Sequence, residues 1–93
     1  MMVGLLTVQL QIGDSQSLKD KRQALRSLKD RLRHGFNVSL SEVGAQDLWQ
    51  RAELGIACVG TDTAGVNRVL SQVVNTIEQD RAISMIDYQL EML

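Results

Sequence analysis

Ninety-three residues, 44% of them hydrophobic and 23% charged, are too few for two hydrophobic cores and too apolar for a disordered chain. A net charge of −1 excludes a uniformly basic protein, and no apolar run approaches the ~20 residues of a membrane span. The lone Cys58 excludes an internal disulfide. These features predict one cytoplasmic domain over residues 1–93.

The N-terminal "MMVGLLTVQLQI" lacks the positive start of a signal peptide. Leu6, Val8, Leu10 and Ile12 share one parity, with Thr7, Gln9 and Gln11 on the other, which is the pattern of a half-buried strand. "GDSQS" supplies a turn. Ser17 followed by Asp20 fits a capping box, so a helix is expected to begin there. Leu18, Leu25, Leu28 and Leu32 form its apolar stripe, and Gly35 is the candidate C-cap. "NVSLSEV" reads as a second strand, "GAQDLWQ" as a hairpin connection, and "RAELGIACVG" as a third strand with Leu54, Ile56 and Cys58 on one face. Asp62 or Thr63 is placed to cap a second helix, whose stripe is Val66, Val69, Leu70, Val73, Val74 and Ile77. The last strand, "AISMIDYQLEM", is expected to turn Ile86, Tyr88, Leu90 and Met92 inward.

Strand, helix, strand, strand, helix, strand is the split βαβ order. It predicts an α+β, ferredoxin-like βαββαβ fold, a four-stranded antiparallel sheet with both helices on one face. The opposite face would then carry Val3, Leu5, Thr7, Gly55, Ala57, Val59, Ile83 and Met85. That is apolar for an uncovered surface and marks an interface, with Val3, Leu5, Ala57, Val59 and Met85 at a homodimer contact. Its two central strands show no outward aromatic, which disfavours stacked single-stranded RNA on the sheet. Trp49, in the hairpin, is expected to cap the sheet edge.

Charge is distributed unevenly. Residues 17–36 hold seven of the ten Lys and Arg residues against two aspartates, and the rest of the chain is net acidic. Lys19, Arg22, Arg26, Lys29 and Arg33 fall on one helical flank, suited to phosphates. Lys19, Lys21 and Arg22 crowd the end of the helix where the macrodipole is already positive, at about 0.3–1 kcal/mol for each exposed cation. An anion held there by Ser15 and free backbone N–H groups near Ser17 would account for that placement. Lys21 and Glu42 occupy positions meant to be buried, on the helix and the second strand respectively, and are expected to pair.

Chemistry-bearing constellations are few. His34, the only histidine, sits where a helix-end cation is favourable, and Cys58 lies on a core-facing parity. Zinc spacing, a phosphate-binding loop and a dinucleotide fingerprint are all absent. Acylphosphatases share the expected fold but carry an arginine in the loop before the first helix, where "GDSQS" has an acid. Enzyme is therefore the weakest class, and no cofactor or metal is expected.

At "SLKDKR", "FNVSLSEVG", "DLWQRAELGIACV" and the helix that follows, nearly the whole chain resembles the YlxP-like family of small bacterial proteins. The resemblance implies a ferredoxin-like fold of this length. It also implies a gene neighbourhood of translation factors, but no catalytic residues. With the basic flank it leads to the expectation of an accessory protein that binds structured RNA or a ribosomal subunit.

Overall fold

The computed structural model describes all 93 residues. Strand β1 spans Met2–Ile12, helix α1 Leu18–Gly35, β2 Ser39–Gly44, β3 Arg51–Gly60, α2 Thr63–Glu78 and β4 Ile83–Met92. The strands form one antiparallel sheet in the order β2-β3-β1-β4, and this is the ferredoxin-like βαββαβ arrangement. The alternation in β1 does what period 2 demands: Leu6, Val8, Leu10 and Ile12 are buried on the face that carries the helices. They pack with Leu54, Ile56 and Cys58 of β3 and with the stripes Leu25, Leu28, Leu32 and Val66, Leu70, Val73, Val74, Ile77 in one core.

Both helices begin at side-chain caps. Ser17 Oγ accepts from Asp20 N at 3.1 Å, and Asp62 Oδ1 accepts from Gly65 N at 2.8 Å. The reciprocal bond of the first cap runs from Gln16 N to Asp20 Oδ2, one residue before the usual donor. Gly35 is not a left-handed C-cap. It is the last helical residue, no glycine has positive φ, and Phe36 N closes the end on Leu32 O at 3.0 Å.

The last strand departs from its expected parity. Gln9 pairs with Asp87 but Leu10 pairs with Met85, so Ile86 is an extra, bulged residue. Before the bulge, Ile83 and Met85 sit opposite Ile12 and Leu10 on the helix side. Ile83 is buried, and Met85 packs partly buried against the core. Beyond it, Tyr88, Leu90 and Met92 take the helix side opposite Val8, Leu6 and Gly4. Met85 and Ile83 therefore do not belong to the outer face, and Ile86 is half-exposed instead of inward. One extra residue reverses every side chain on one side of it.

At Gly4, α2 lies close against the sheet. A Cβ there would lie 2.5 Å from Val66 Cγ1 and 2.8 Å from Leu70 Cδ1, both in the packed core. Gly4→Ala is expected to destabilise the fold by about 1–3 kcal/mol, because overpacking outweighs the backbone entropy gained. A urea titration showing a midpoint equal to or above wild type would contradict this close approach.

Candidate nucleic-acid interface

The apolar stripe turns one side of α1 to the sheet, with Lys21 among its buried residues, and helical spacing distributes the other six cations over the remainder. Arg31 is on the flank toward the end of α2, where it pairs with Asp80. Lys19, Arg22, Arg26, Lys29 and Arg33 are on the other flank, that of β2. Lys29 is half-buried and the other four are exposed. No carboxylate lies within ion-pair distance of any of the five, since the two ion pairs of the molecule use Lys21 and Arg31. Arg33 Nη2 donates to Leu40 O at 3.3 Å, which places the C-terminal end of this flank beside β2. From Lys19 to Arg33 the row extends about 21 Å at 1.5 Å per residue.

Lys21 has a different role. It is 1% exposed, and its Nζ lies 2.9 Å from Glu42 Oε2. It also donates to Ala45 O at 2.7 Å and to Gln46 O at 3.4 Å. The expected pair therefore forms, together with two backbone acceptors. Glu42 Oε2 is buried and accepts no hydrogen bond of good angle, so its contact with Lys21 is chiefly charge–charge attraction. The better-directed bond is the one to Ala45 O.

That bond ties α1 to the loop between β2 and β3. Ala45 has φ of 57°, a left-handed conformation that costs a non-glycine residue on the order of 1–3 kcal/mol. Its carbonyl accepts from both Lys21 Nζ and Leu48 N, which uses both lone pairs and holds the turn. At the far end of the loop, Ile12 N donates to Gln50 O at 2.9 Å and Gln50 Nε2 to Ser15 O at 3.1 Å. Leu48 and Trp49 project between these anchors, each more than half exposed. Trp49 is not among the residues packed on the core, so it does not cap the sheet edge as expected. Its exposure depends on loop geometry, which has no period for sequence reading to detect.

The chain's own side chains take part of the hydrogen bonding at the helix N-terminus. Ser15 is buried and donates its hydroxyl to Ser17 O, and the Asp20 carboxylate takes the Gln16 N–H. The protein's own acid thus serves the start of the helix. His34 is exposed, with Nδ1 2.7 Å from Asp30 O, and Cys58 is a buried thiol.

The outer sheet face keeps Val3, Leu5, Ala57 and Val59, paired across β1 and β3. Leu5, Thr7, Ser41, Val43, Gly55 and Ala57 line a shallow groove on it. Val43, bulged out of β2, leans over Gly55. Toward the other end the face turns polar, with Gln9 donating to Glu53.

A family model described as "Protein of unknown function (DUF503)" matches residues 3–90. The chain belongs to that family. The relative named "Uncharacterized protein YlxP", from Bacillus subtilis (strain 168), is 39% identical over 77 residues, covering 83% of this chain and 84% of that one. Among solved structures, the de novo designed protein Foldit4 superposes with a TM-score of 0.54 at 10% identity, covering 98% of this chain and 96% of that one. LarC2, the C-terminal domain of a cyclometallase involved in synthesis of the NPN cofactor of lactate racemase, gives 0.50 at 10% identity, over 100% of this chain and 55% of that chain. At such identity both speak for the fold alone.

The Lys21 cluster is testable by a double-mutant cycle in urea. Lys21→Met is expected to cost about 3–5 kcal/mol, because it strands the buried Glu42 carboxylate oxygen and takes one of two donors from the Ala45 carbonyl. Glu42→Leu should cost less, since Lys21 keeps its backbone acceptors. Non-additivity above about 1 kcal/mol in the double variant would measure the pair, and strictly additive losses would mean that the two side chains do not interact.

Proposed function

We propose that this protein is a non-enzymatic accessory factor that binds structured RNA, such as the RNA of a ribosomal subunit, through the basic flank of α1. One observation carries the reading: five cations stand in a row on one flank with no carboxylate partner, while the two other cations of the helix are paired. Neighbours three and four residues apart along that row repel one another, each contact costing about 0.2–0.5 kcal/mol. Stability by itself favours alternating signs there. A polyanion laid along the row relieves the repulsion and releases its own counterions. Phosphate contacts of this kind position an RNA without reading bases, which suits recognition by shape. The rest of the chain is net acidic and would be repelled, so the RNA is directed to one side of the molecule.

Five phosphate contacts predict a slope of about −3.5 to −4.5 in log affinity against log salt. Binding to purified small ribosomal subunits and to a structured RNA should fall steeply between ~50 and ~200 mM salt. It should be abolished by the combined substitution of Lys19, Arg22, Arg26 and Lys29 to Glu, and left intact by Arg68→Glu on α2. A flat salt response, or equal loss in the α2 control, would remove this function.

A second reading, compatible with the first, is a homodimer through the outer sheet face. It is supported by Val3, Leu5, Ala57 and Val59 lying on a face with no helix over it, beside the Gly55 groove. The two copies would present two basic helices. Sedimentation equilibrium is expected to show a dimer that Leu5→Lys with Val59→Lys converts to a monomer. A wild-type monomer at the highest attainable concentration would set this reading aside.

A further inference from the structure

We infer that the RNA this protein binds carries an unpaired nucleotide, whose base stacks on Trp49 while the adjoining phosphates lie along α1. The inference rests on the proposed basic-flank interface and specifies which class of RNA it takes.

The argument begins with an exposed indole on a loop that is held in place. A large aromatic in water gains by being covered, yet Trp49 is 54% exposed with Leu48 beside it. The loop is fastened at both ends, by Lys21 on Ala45 and Gln46 and by Gln50 on Ser15, with Ile12 N on Gln50 O. Its shape is therefore set before any partner arrives, so little ordering entropy is lost on binding.

The same fastenings set its position. Arg33 meets Leu40 near the start of β2, and Lys21 meets Ala45 just past its end, so α1 runs antiparallel to β2. The row from Arg33 to Lys19 follows that edge toward the loop that carries Trp49. Asp47, Leu48, Trp49, Gln50 and Arg51 line an open depression there. It combines a π-face, a guanidinium and hydrogen-bonding groups able to meet a base edge. Along a helix stacking needs a base outside the stack, because an internal base pair has both faces covered. A continuous duplex would use the phosphate row and leave Trp49 untouched. A loop, bulge or single-stranded end beside a stem uses both.

Trp49 is the only tryptophan, so its emission reports the contact directly. The protein would be titrated with a stem–loop RNA and with a long continuous duplex that contains the same stem sequence, following fluorescence and, separately, affinity at fixed salt. The stem–loop is expected to quench the emission and the duplex to leave it nearly unchanged. Trp49→Ala, confirmed folded by circular dichroism, should weaken stem–loop binding by about 5- to 100-fold and duplex binding by less than about 2-fold, with Trp49→Phe retaining most of the affinity. Salt-sensitive binding of both RNAs with unchanged emission, or equal losses on both in Trp49→Ala, would overturn the stacking contact and leave the basic helix standing. An emission shift that follows protein concentration without RNA would assign Trp49 to a protein contact and also overturn it. Failure of wild type to bind either RNA would remove the proposed function itself, and the stacking contact with it.

Discussion

A lysine ammonium set at the edge of an apolar seam must be matched there, because removing an ion from water costs several kcal/mol unless charge and hydrogen bonds replace it. Lys21 is matched by Glu42 and by the carbonyls of Ala45 and Gln46. The second strand, the left-handed turn after it and the first helix are thereby held to one another at a single nitrogen. The position of the basic flank relative to the exposed tryptophan loop depends on this contact. A hydrophobic pair could fill the same space, but it would leave the Ala45 carbonyl with one partner fewer and the loop less constrained.

The other constraint is the one-sidedness of the sheet. Two helices cover one face, and α2 approaches β1 closely enough that only hydrogen fits at Gly4. The four strands thus have a dry face and a bare face. On the bare side, apolar side chains gather at the end marked by Val3 and Val59, and polar ones at the end of Gln9 and Glu53. The proposed dimer contact on the bare face and the proposed RNA contact on α1 thus share no residue.

Charge on this molecule is informative by its pairing more than by its total. Arg31 and Lys21 are cations of a structural kind, each neutralised by an acid brought from a distant part of the chain. The five on the β2 flank have no such acid. Asp20, the acid nearest the helix start, is committed to the Gln16 amide. The cap serves the helix, and the flank is left facing solvent.

Where a residue's role follows from its own element, the sequence was sufficient. The strand parities of β1 and β3, both helix stripes, the caps at Ser17 and Asp62 and the βαββαβ order are local patterns of period 2 or 3.6. The misplacement of Lys21 and Glu42 within those patterns was enough to pair them. Tertiary structure decided what depends on a partner segment. The bulge at Ile86 is defined only against β1, and it moved Met85 from the expected interface into the helix layer. The apolar residues of "ISMIDYQLEM" do change parity between Met85 and Ile86, and that break was the available signal. Nothing periodic marks a loop, so the exposure of Trp49 and the bond from Ser15 to the Ser17 carbonyl came only from the fold. The physical reason is the same in each case. Periodicity records which side of its own element a residue occupies, whereas register, turn geometry and hydrogen-bond partners are settled between elements.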